Sequence, residues 1–216
     1  MSTTRTLARR AALAVAAAAV LPLALTGCSD DGKSTDASPS QKASMGSTPS
    51  GKTDTAAVNG PFGPGCAGVP KEGKGSFDGM AKDPVATAAS HNPALSTLVT
   101  AVKKAGLVDT LNNAQNITVF APTDDAFAKL PKADLDAVLA DKAKLTSILT
   151  YHVVGQKLTP KQLESGSYPT LQKSTLTTSG SGEAYKVNNT SNVVCGNVPT
   201  ANATVYIVDT VLMPKS

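Results

Sequence analysis

The clearest pattern of apolar and polar residues in this chain lies in the segment Ile117–Leu130. It begins with five apolar or β-branched residues, ITVFA, which predict a strand covered on both faces. Pro122 has no backbone N–H and should end that strand. Thr123 then offers a hydroxyl that can cap a helix, while Asp124 and Asp125 should remain in solvent at its positive end. The segment therefore predicts a buried strand that turns sharply into a short helix.

Helical spacing dominates the chain on either side of this segment. Asp83-Pro84 should open a helix that runs to Ala89, and a second helix should begin at Pro93 and stop at Gly106. Apolar residues return at helical spacing between residues 135 and 149, and they lead into a predicted strand, Tyr151–Val154. In such a strand Tyr151 and His152 would point to opposite faces, so one of the pair should be buried.

The last third of the chain has the character of short strands separated by Gly, Asn and Ser. Helices first and strands later indicate an α+β fold rather than a parallel α/β sheet. We expect the SGSG sequence of Ser179–Gly182 to form a hairpin tip. The predicted strands are Ser174–Thr178, Ala184–Asn188, Asn192–Cys195 and Thr204–Val208.

The first 27 residues have the pattern of an export signal. Three arginines precede an uncharged apolar run from Ala11 to Leu25, which Pro22 interrupts. A membrane span needs about 20 apolar residues, so this run is better suited to a signal peptide. It ends in LTGC, which resembles the bacterial lipobox. We therefore expect residues 1–27 to be a lipoprotein signal peptide and Cys28 to carry the lipid; a free or disulfide-bonded Cys28 is the alternative.

Residues 28–60 should form a flexible tether behind that anchor. Ser29–Gly60 contains no Leu, Ile or aromatic residue and cannot bury enough apolar surface to fold. Its Ser, Thr and Pro content leaves O-glycosylation open. Removing the three leader arginines from the 20 basic side chains leaves 17 against 16 acidic ones, a net charge of +1. With no basic stripe and no Trp, nucleic acid is excluded as a partner.

Residues 61–216 should form one domain, which opens with a Gly/Pro-rich arm. Once Cys28 is assigned to lipid, Cys66 and Cys195 remain as an even pair in an oxidising compartment. A disulfide between them would fix the arm to a late strand and close a loop of about 130 residues. The chain-entropy model gives roughly 4–5 kcal/mol for such a loop as an upper guide.

Three motifs in this domain resemble the signatures of the fasciclin (FAS1) domain family. The first is TVFAPT followed by AF, the second is a Tyr-His pair, and the third is a late strand that reads Asp-x-Val-Leu-x-Pro. The matching residues are Thr118, Val119, Phe120, Ala121, Pro122, Thr123 and Phe127 in the first, Tyr151 and His152 in the second, and Asp209, Val211, Leu212 and Pro214 in the third.

The resemblance implies a single FAS1 domain, a β-wedge or sandwich of short strands with a helical layer. Such domains are secreted or surface-bound modules that mediate adhesion, and they are not generally enzymes. In some animal members the Tyr-His region is connected with integrin contact. The sequences GPGCA, LTYHVV and TANATVYIVD also resemble mycobacterial members, which implies an actinobacterial origin. The partner would be an unidentified cell-surface protein or glycan, and no cofactor or metal is implied.

Two functions remain open from the sequence. The first is adhesion or surface interaction at the extracytoplasmic face of the cell membrane, with shedding or secretion also open. The second is capture of a small lipid or glycan ligand, which a buried apolar pocket would favour over adhesion. An enzyme is not expected, because the nucleophile elbow, metalloprotease, Walker and dinucleotide motifs are all missing. His152 is expected to be a packed residue, and Asp209 could be a buried carboxylate or an exposed contact.

Overall fold

The computed structural model describes residues 60–214. The predicted signal peptide, its lipidation site Cys28 and residues 29–59 of the predicted tether lie outside this range, as do Lys215 and Ser216. The predicted domain boundaries therefore remain predictions.

The helices lie within the first two thirds of the described chain. The shortest of them are single turns, and the two longest span ten residues each. The α-helices are α1 (Phe77–Met80), α2 (Val85–Ser90), α3 (Ser96–Ala105), α4 (Val108–Asn113), α5 (Asp124–Ala128), α6 (Lys132–Ala140), α7 (Lys142–Tyr151) and α8 (Pro160–Leu163), and 3-10 turns span Pro64–Gly68 and Pro93–Leu95.

The strands form one sheet in the order β2-β1-β7-β6-β5-β4-β3. β1 pairs in parallel with β7, and the other neighbouring strands pair antiparallel. The strands are β1 (Ile117–Pro122), β2 (Val153–Val154), β3 (Ser165–Pro169), β4 (Thr175–Ser181), β5 (Ala184–Val187), β6 (Ser191–Pro199) and β7 (Ala203–Val208). The fold is α+β, as predicted.

β1 lies between β2 and β7, and all six of its residues are buried. The strand ends at Pro122, and the Thr123 hydroxyl accepts a hydrogen bond from the Ala126 N–H to cap α5. The Asp124 side chain is not simply solvated, as the sequence predicted. Its carboxylate accepts hydrogen bonds from Ser96 Oγ (2.6 Å) and Thr97 N–H (2.7 Å), and so it caps α3 from a distance of 27–28 residues along the chain.

Two hydrophobic cores share the central strands. The helical core, on one face of β1, contains Val119 and Ala121 together with side chains of α2, α3, α4 and α7. The aromatic core, on the other face, contains Phe120 and encloses Tyr185 from β5 and Tyr206 from β7. The sheet therefore folds over itself as a wedge, and the helices cover its outer face. β6 joins the two parts, and register shifts interrupt its pairing with β7 on both sides of Cys195.

The Gly/Pro-rich arm is fixed to β6 in two ways. Cys66 and Cys195 form a disulfide with a Cα–Cα distance of 4.8 Å. Phe62 pairs with Gly196 through two backbone hydrogen bonds and places its ring in the aromatic core. A side chain at position 196 would collide with that ring, which explains the glycine there. The arm thus contributes an aromatic side chain to the core.

Three sequence expectations change in detail. β3 was not predicted, because its sequence SGSYP lacks an alternation of apolar residues. The predicted hairpin forms, but its tip lies later than expected: β4 extends to Ser181, so the turn consists of Gly182 and Glu183 and includes only the last residue of SGSG. α2 begins one residue later than expected, because Asn202 Oδ1 accepts the Val85 N–H at 2.8 Å.

Candidate ligand cavity and the buried family signature

The Tyr151-His152 pair lies at the end of α7. The strand predicted for Tyr151–Val154 forms only at Val153–Val154, as β2, because the helix continues through Tyr151 and His152 is its C-cap in a helical conformation. Strand alternation therefore does not apply to the pair. Both side chains are only 2% exposed, and neither can contact a partner while the domain is folded.

His152 joins the end of α7 to the C-terminal segment. Its Nδ1 lies 2.8 Å from the Ile148 carbonyl oxygen, and its Nε2 accepts the Leu212 N–H at 2.9 Å. Since Nε2 accepts a hydrogen bond, the proton of the neutral ring must be on Nδ1. Burial lowers the pKa of His152 to about 4, although the hydrogen bond to Ile148 opposes that shift. The ring is therefore neutral near pH 7 and both of its nitrogens are occupied.

Tyr151 joins the same helix end to the outer strands. Its hydroxyl donates to the Thr175 carbonyl oxygen (3.1 Å) and accepts from Asn188 Nδ2 (2.8 Å). Asn188 adopts a positive φ of 53°, and its Oδ1 accepts the Thr177 N–H. Asn188 was not singled out from the sequence. Tyr151 and His152 together connect the end of α7 to β4, to the turn that follows β5 and to the segment that follows β7. We call these two residues the buried brace, because their contacts hold parts of the fold together.

Several signature residues of β1 also contribute to packing or internal hydrogen bonds. Thr118 Oγ1 donates to the Gln156 carbonyl oxygen and accepts the Leu158 N–H, both at 2.8 Å. Phe120 stacks on Tyr206 with ring centroids 5.8 Å apart. These contacts are directed inward.

Asp209, in the third signature, is partly exposed. Its carboxylate accepts hydrogen bonds from the Asn192 N–H and side-chain amide (2.8 and 2.9 Å) and lies 3.4 Å from Lys129 Nζ. Burial raises the pKa of Asp209, but the hydrogen bonds from Asn192 outweigh this and lower it. The carboxylate therefore links the end of β7 to β6. The remaining residues of this signature, Val211, Leu212 and Pro214, follow β7, and the first two are buried.

A cavity of about 200 Å³ lies between the helical layer and the sheet. The cavity exists because the side chains of α2 are small. This helix has the sequence VATAAS, and alanine side chains cannot fill the space above the sheet. The walls are mostly apolar and include Val85 and Ala88 of α2, Leu98 and Val102 of α3, Leu111 of α4, Val119 and Ala121 of β1, and Val205 and Ile207 of β7.

Asn92 brings a polar side chain to this cavity. It is 2% exposed and lines the cavity at the start of the Pro93–Leu95 turn. Within residues 60–214, Lys103 is the one Lys, Arg, Asp or Glu in the wall. An Asn before Pro is a helix-cap signal that could have been recognised in the sequence. No local signal could have shown that this residue lines a cavity.

The described part of the chain contains no cluster of three or more His, Cys, Asp or Glu residues that could ligate a metal. Among helices α1–α8 there is none long and apolar enough to cross a membrane. The other histidine, His91, is the C-cap residue of α2, and its Nδ1 lies 3.4 Å from Asp83 Oδ2. It is far along the chain from His152.

The wedge-shaped sheet, its helical layer and the buried Tyr-His brace define a fasciclin domain. The fasciclin domain family matches residues 93–214, and this chain belongs to that family.

Its relatives include two kinds of mycobacterial protein. The chain is 45% identical to the cell surface glycolipoprotein MPB83 of Mycobacterium bovis over 95% of its own length and 96% of that protein. It is 49% identical to the immunogenic protein MPT70 of Mycobacterium tuberculosis over 71% of its length and 82% of the relative. A FAS1 domain pair from the insect cell adhesion molecule fasciclin I superposes with a TM-score of 0.51 at 23% identity, covering 62% of this chain and 52% of that one. This last similarity concerns the fold alone.

Proposed function

We propose that this chain is a lipid-anchored protein on the extracytoplasmic face of the cell membrane that acts in adhesion or surface interaction. The observation that carries the proposal is the extent of the similarity to a cell surface glycolipoprotein. Because it covers 95% of the chain, it extends beyond the fasciclin domain into the leader and tether. The lipobox-like LTGC sequence at Cys28 lies in that part. Lipid on Cys28 would hold the domain at the surface, with a tether of roughly 30 Å mean span between them.

Replacing the lipidation residue tests the anchor. Cys28→Ala should release the protein from the membrane fraction or stall the removal of its signal peptide, because no thiol remains to carry the lipid. The measurement is fractionation of cells followed by mass determination of the released protein. Ser29→Ala, a substitution next to the same cleavage site, should leave the protein membrane-bound. A Cys28→Ala protein that is processed normally and stays with the membrane would contradict the proposal.

The burial of the Tyr-His pair supports the proposal that residues outside this pair carry adhesion. Since Tyr151 and His152 are each 2% exposed, a partner could reach them only after local unfolding. We infer that exposed loops carry any surface contact. His152→Ala protein that is folded at the assay temperature should therefore bind surface proteins and glycans from producing cells as well as the unchanged chain does. Loss of that binding with an unchanged melting temperature would make the pair a recognition site.

A second candidate function is capture of a small apolar molecule, and the cavity beneath α2 favours it. Its walls offer hydrocarbon on nearly every side, whereas a glycan would need several polar partners. A lipid-type ligand therefore suits the cavity better than a glycan does. Binding of a simple hydrocarbon of matching size, followed by NMR shifts of the cavity residues, is the direct measurement.

A further inference from the structure

The cavity beneath α2 reaches the protein surface beside the end of α3. Most of its wall is buried, but Ser90 of α2 and Lys103 of α3 line the cavity and are also exposed. A residue can do both only where the wall meets solvent. Val99 lies one turn before Lys103 on the same side of the helix, lines the cavity and is partly exposed. This side of α3 therefore forms a rim of the cavity, and Lys103 stands on it.

The charge on this rim is positive and unpaired. Within residues 60–214 no carboxylate lines the cavity, and Lys103 takes part in neither of the two ion pairs found there. A lysine can lay its hydrocarbon stem along apolar surface while its ammonium stays in water, which is how Lys103 can be both a wall residue and an exposed one. An apolar cavity with an unpaired ammonium at its rim suits a ligand that has a hydrocarbon tail and an anionic head.

We propose that the cavity binds the alkyl chain of a medium-chain carboxylate, a ligand of the fatty-acid type, and that the ligand's carboxylate lies at Lys103. This inference rests on the second candidate function and specifies its ligand. A cavity of about 150 Å³ can hold the ring carbons of benzene, so a cavity of about 200 Å³ suits a chain of about eight carbons. The tail lies between α2 and the sheet. The head remains in water beside the ammonium, so that no charge has to be buried.

Octanoate and 1-octanol are probes that separate the charge from the cavity. Both have the same unbranched chain length, but only octanoate is negatively charged near pH 7. The experiment uses the full chain with Cys28→Ala, because the detergent that a lipidated protein needs would compete for the cavity. Both probes should bind, and the methyl NMR signals of the wall residues Val119 and Val205 should shift with either one. Ala89→Leu, on the cavity wall, should weaken both probes.

Two lysine variants with the same change in net charge make the assignment specific. Lys103→Gln removes the ammonium, so octanoate affinity should fall about fivefold, the upper value for an ion pair in contact with water, while octanol affinity stays unchanged. Lys104→Gln is the matched control, because Lys104 is exposed and does not line the cavity; it should preserve both affinities. Raising the salt to about 1 M should reduce the effect of Lys103→Gln, because the Debye length falls to about 3 Å. Melting curves verify that each variant is folded.

An octanoate affinity that Lys103→Gln does not lower, or that Lys104→Gln lowers as much, would overturn the inference. If octanol still binds in the cavity, capture of an apolar molecule stands. Octanoate that binds without moving the methyl signals of the wall, or that binds folded Ala89→Leu protein as tightly as the unchanged cavity, would lie outside the cavity and overturn the inference as well. Failure of both probes to bind would overturn the inference and the second candidate function together.

Discussion

The two cores of this protein are built from different residues although β1 and β7 line both. In the aromatic core, the rings of Phe62, Phe120, Tyr185 and Tyr206 are in contact, with centroid distances of 5.4 to 6.4 Å. In the helical core, α2 presents alanines, and a cavity of about 200 Å³ remains. Large rings bury more surface per residue than alanines do. Ring-to-ring packing thus fills the aromatic core, whereas the alanines of α2 leave unfilled space in the helical core.

The buried brace connects these two environments. Tyr151 belongs to the aromatic core, whereas His152 lies on the wall of the cavity. Consecutive residues at a helix end can do this because successive helical side chains point about 100° apart. A sequence signature of two adjacent residues thus contributes one side chain to the aromatic core and one to the cavity wall of the helical core.

Removing the disulfide should have the largest effect on the stability of the domain. Cys66→Ser with Cys195→Ser should lower the free energy of unfolding by up to about 4–5 kcal/mol, because the unfolded chain loses a long covalent loop. The loss also loosens the arm that carries Phe62. Urea denaturation gives the difference, and the reduced unchanged protein should behave like the double variant. If both cysteines react with an alkylating reagent before reduction, the arm is held by packing alone.

Truncating one ring should have the next largest effect. Phe120→Ala should lower the free energy of unfolding by about 3–5 kcal/mol, since Phe120 is fully buried. The matched substitution is Ala121→Val, next along the same strand but facing the cavity. It should change the free energy by about 1 kcal/mol or less, because there is space for the added methyl groups. Similar losses for the two variants, measured by the same denaturation, would show that the two cores are packed alike.

Acidification should have a smaller effect that centres on the brace. Burial lowers the pKa of His152 from 6.5 to about 4, so the unfolded chain binds more protons between these values. Stability contributed by the neutral ring is complete above pH 6.5 and falls as the pH drops towards 4, by about 3 kcal/mol in total. Asp124 and Asp209 have lowered pKa values, so their losses come below pH 3.8.

The measurement for this prediction is the free energy of unfolding between pH 7 and pH 4. His152→Gln provides the control, because it keeps hydrogen-bonding groups at the helix end without a group that titrates in this range. The difference between the two pH profiles isolates the histidine. Parallel profiles for the two proteins would contradict the assigned pKa.

Much of the fold could be predicted because it depends on residues that are neighbours along the chain. The buried strand β1, the Thr123 cap and the stop of α3 at Gly106, with φ of 74°, each follow from a few consecutive residues. The single turn of α8 is local in the same way, because Gln162 Oε1 accepts the Thr159 N–H at 2.9 Å. The pairing of Cys66 with Cys195 followed from the number of cysteines, and not from any knowledge of their distance.

The remaining features depend on residues far apart in the sequence. Asp124 was assigned to solvent as a charged residue at the positive end of its own helix, but the tertiary fold brings the start of α3 to its carboxylate. Asn202 accepts the Val85 N–H and donates to the carbonyl oxygens of Leu111 and Ala114. No sequence pattern could have predicted these hydrogen bonds, because they join residues about 90 or more positions apart. β3 forms because β4 offers it an edge, despite its polar sequence.

Local motifs and periodicity were enough to identify the fasciclin family, the α+β order of elements and the burial of β1. The burial of both members of the Tyr-His pair, and the cavity beside the alanines of α2, became known only from how the chain packs in three dimensions. Burial of a side chain and the volume beside it depend on what the rest of the chain packs against them, and that information is not local.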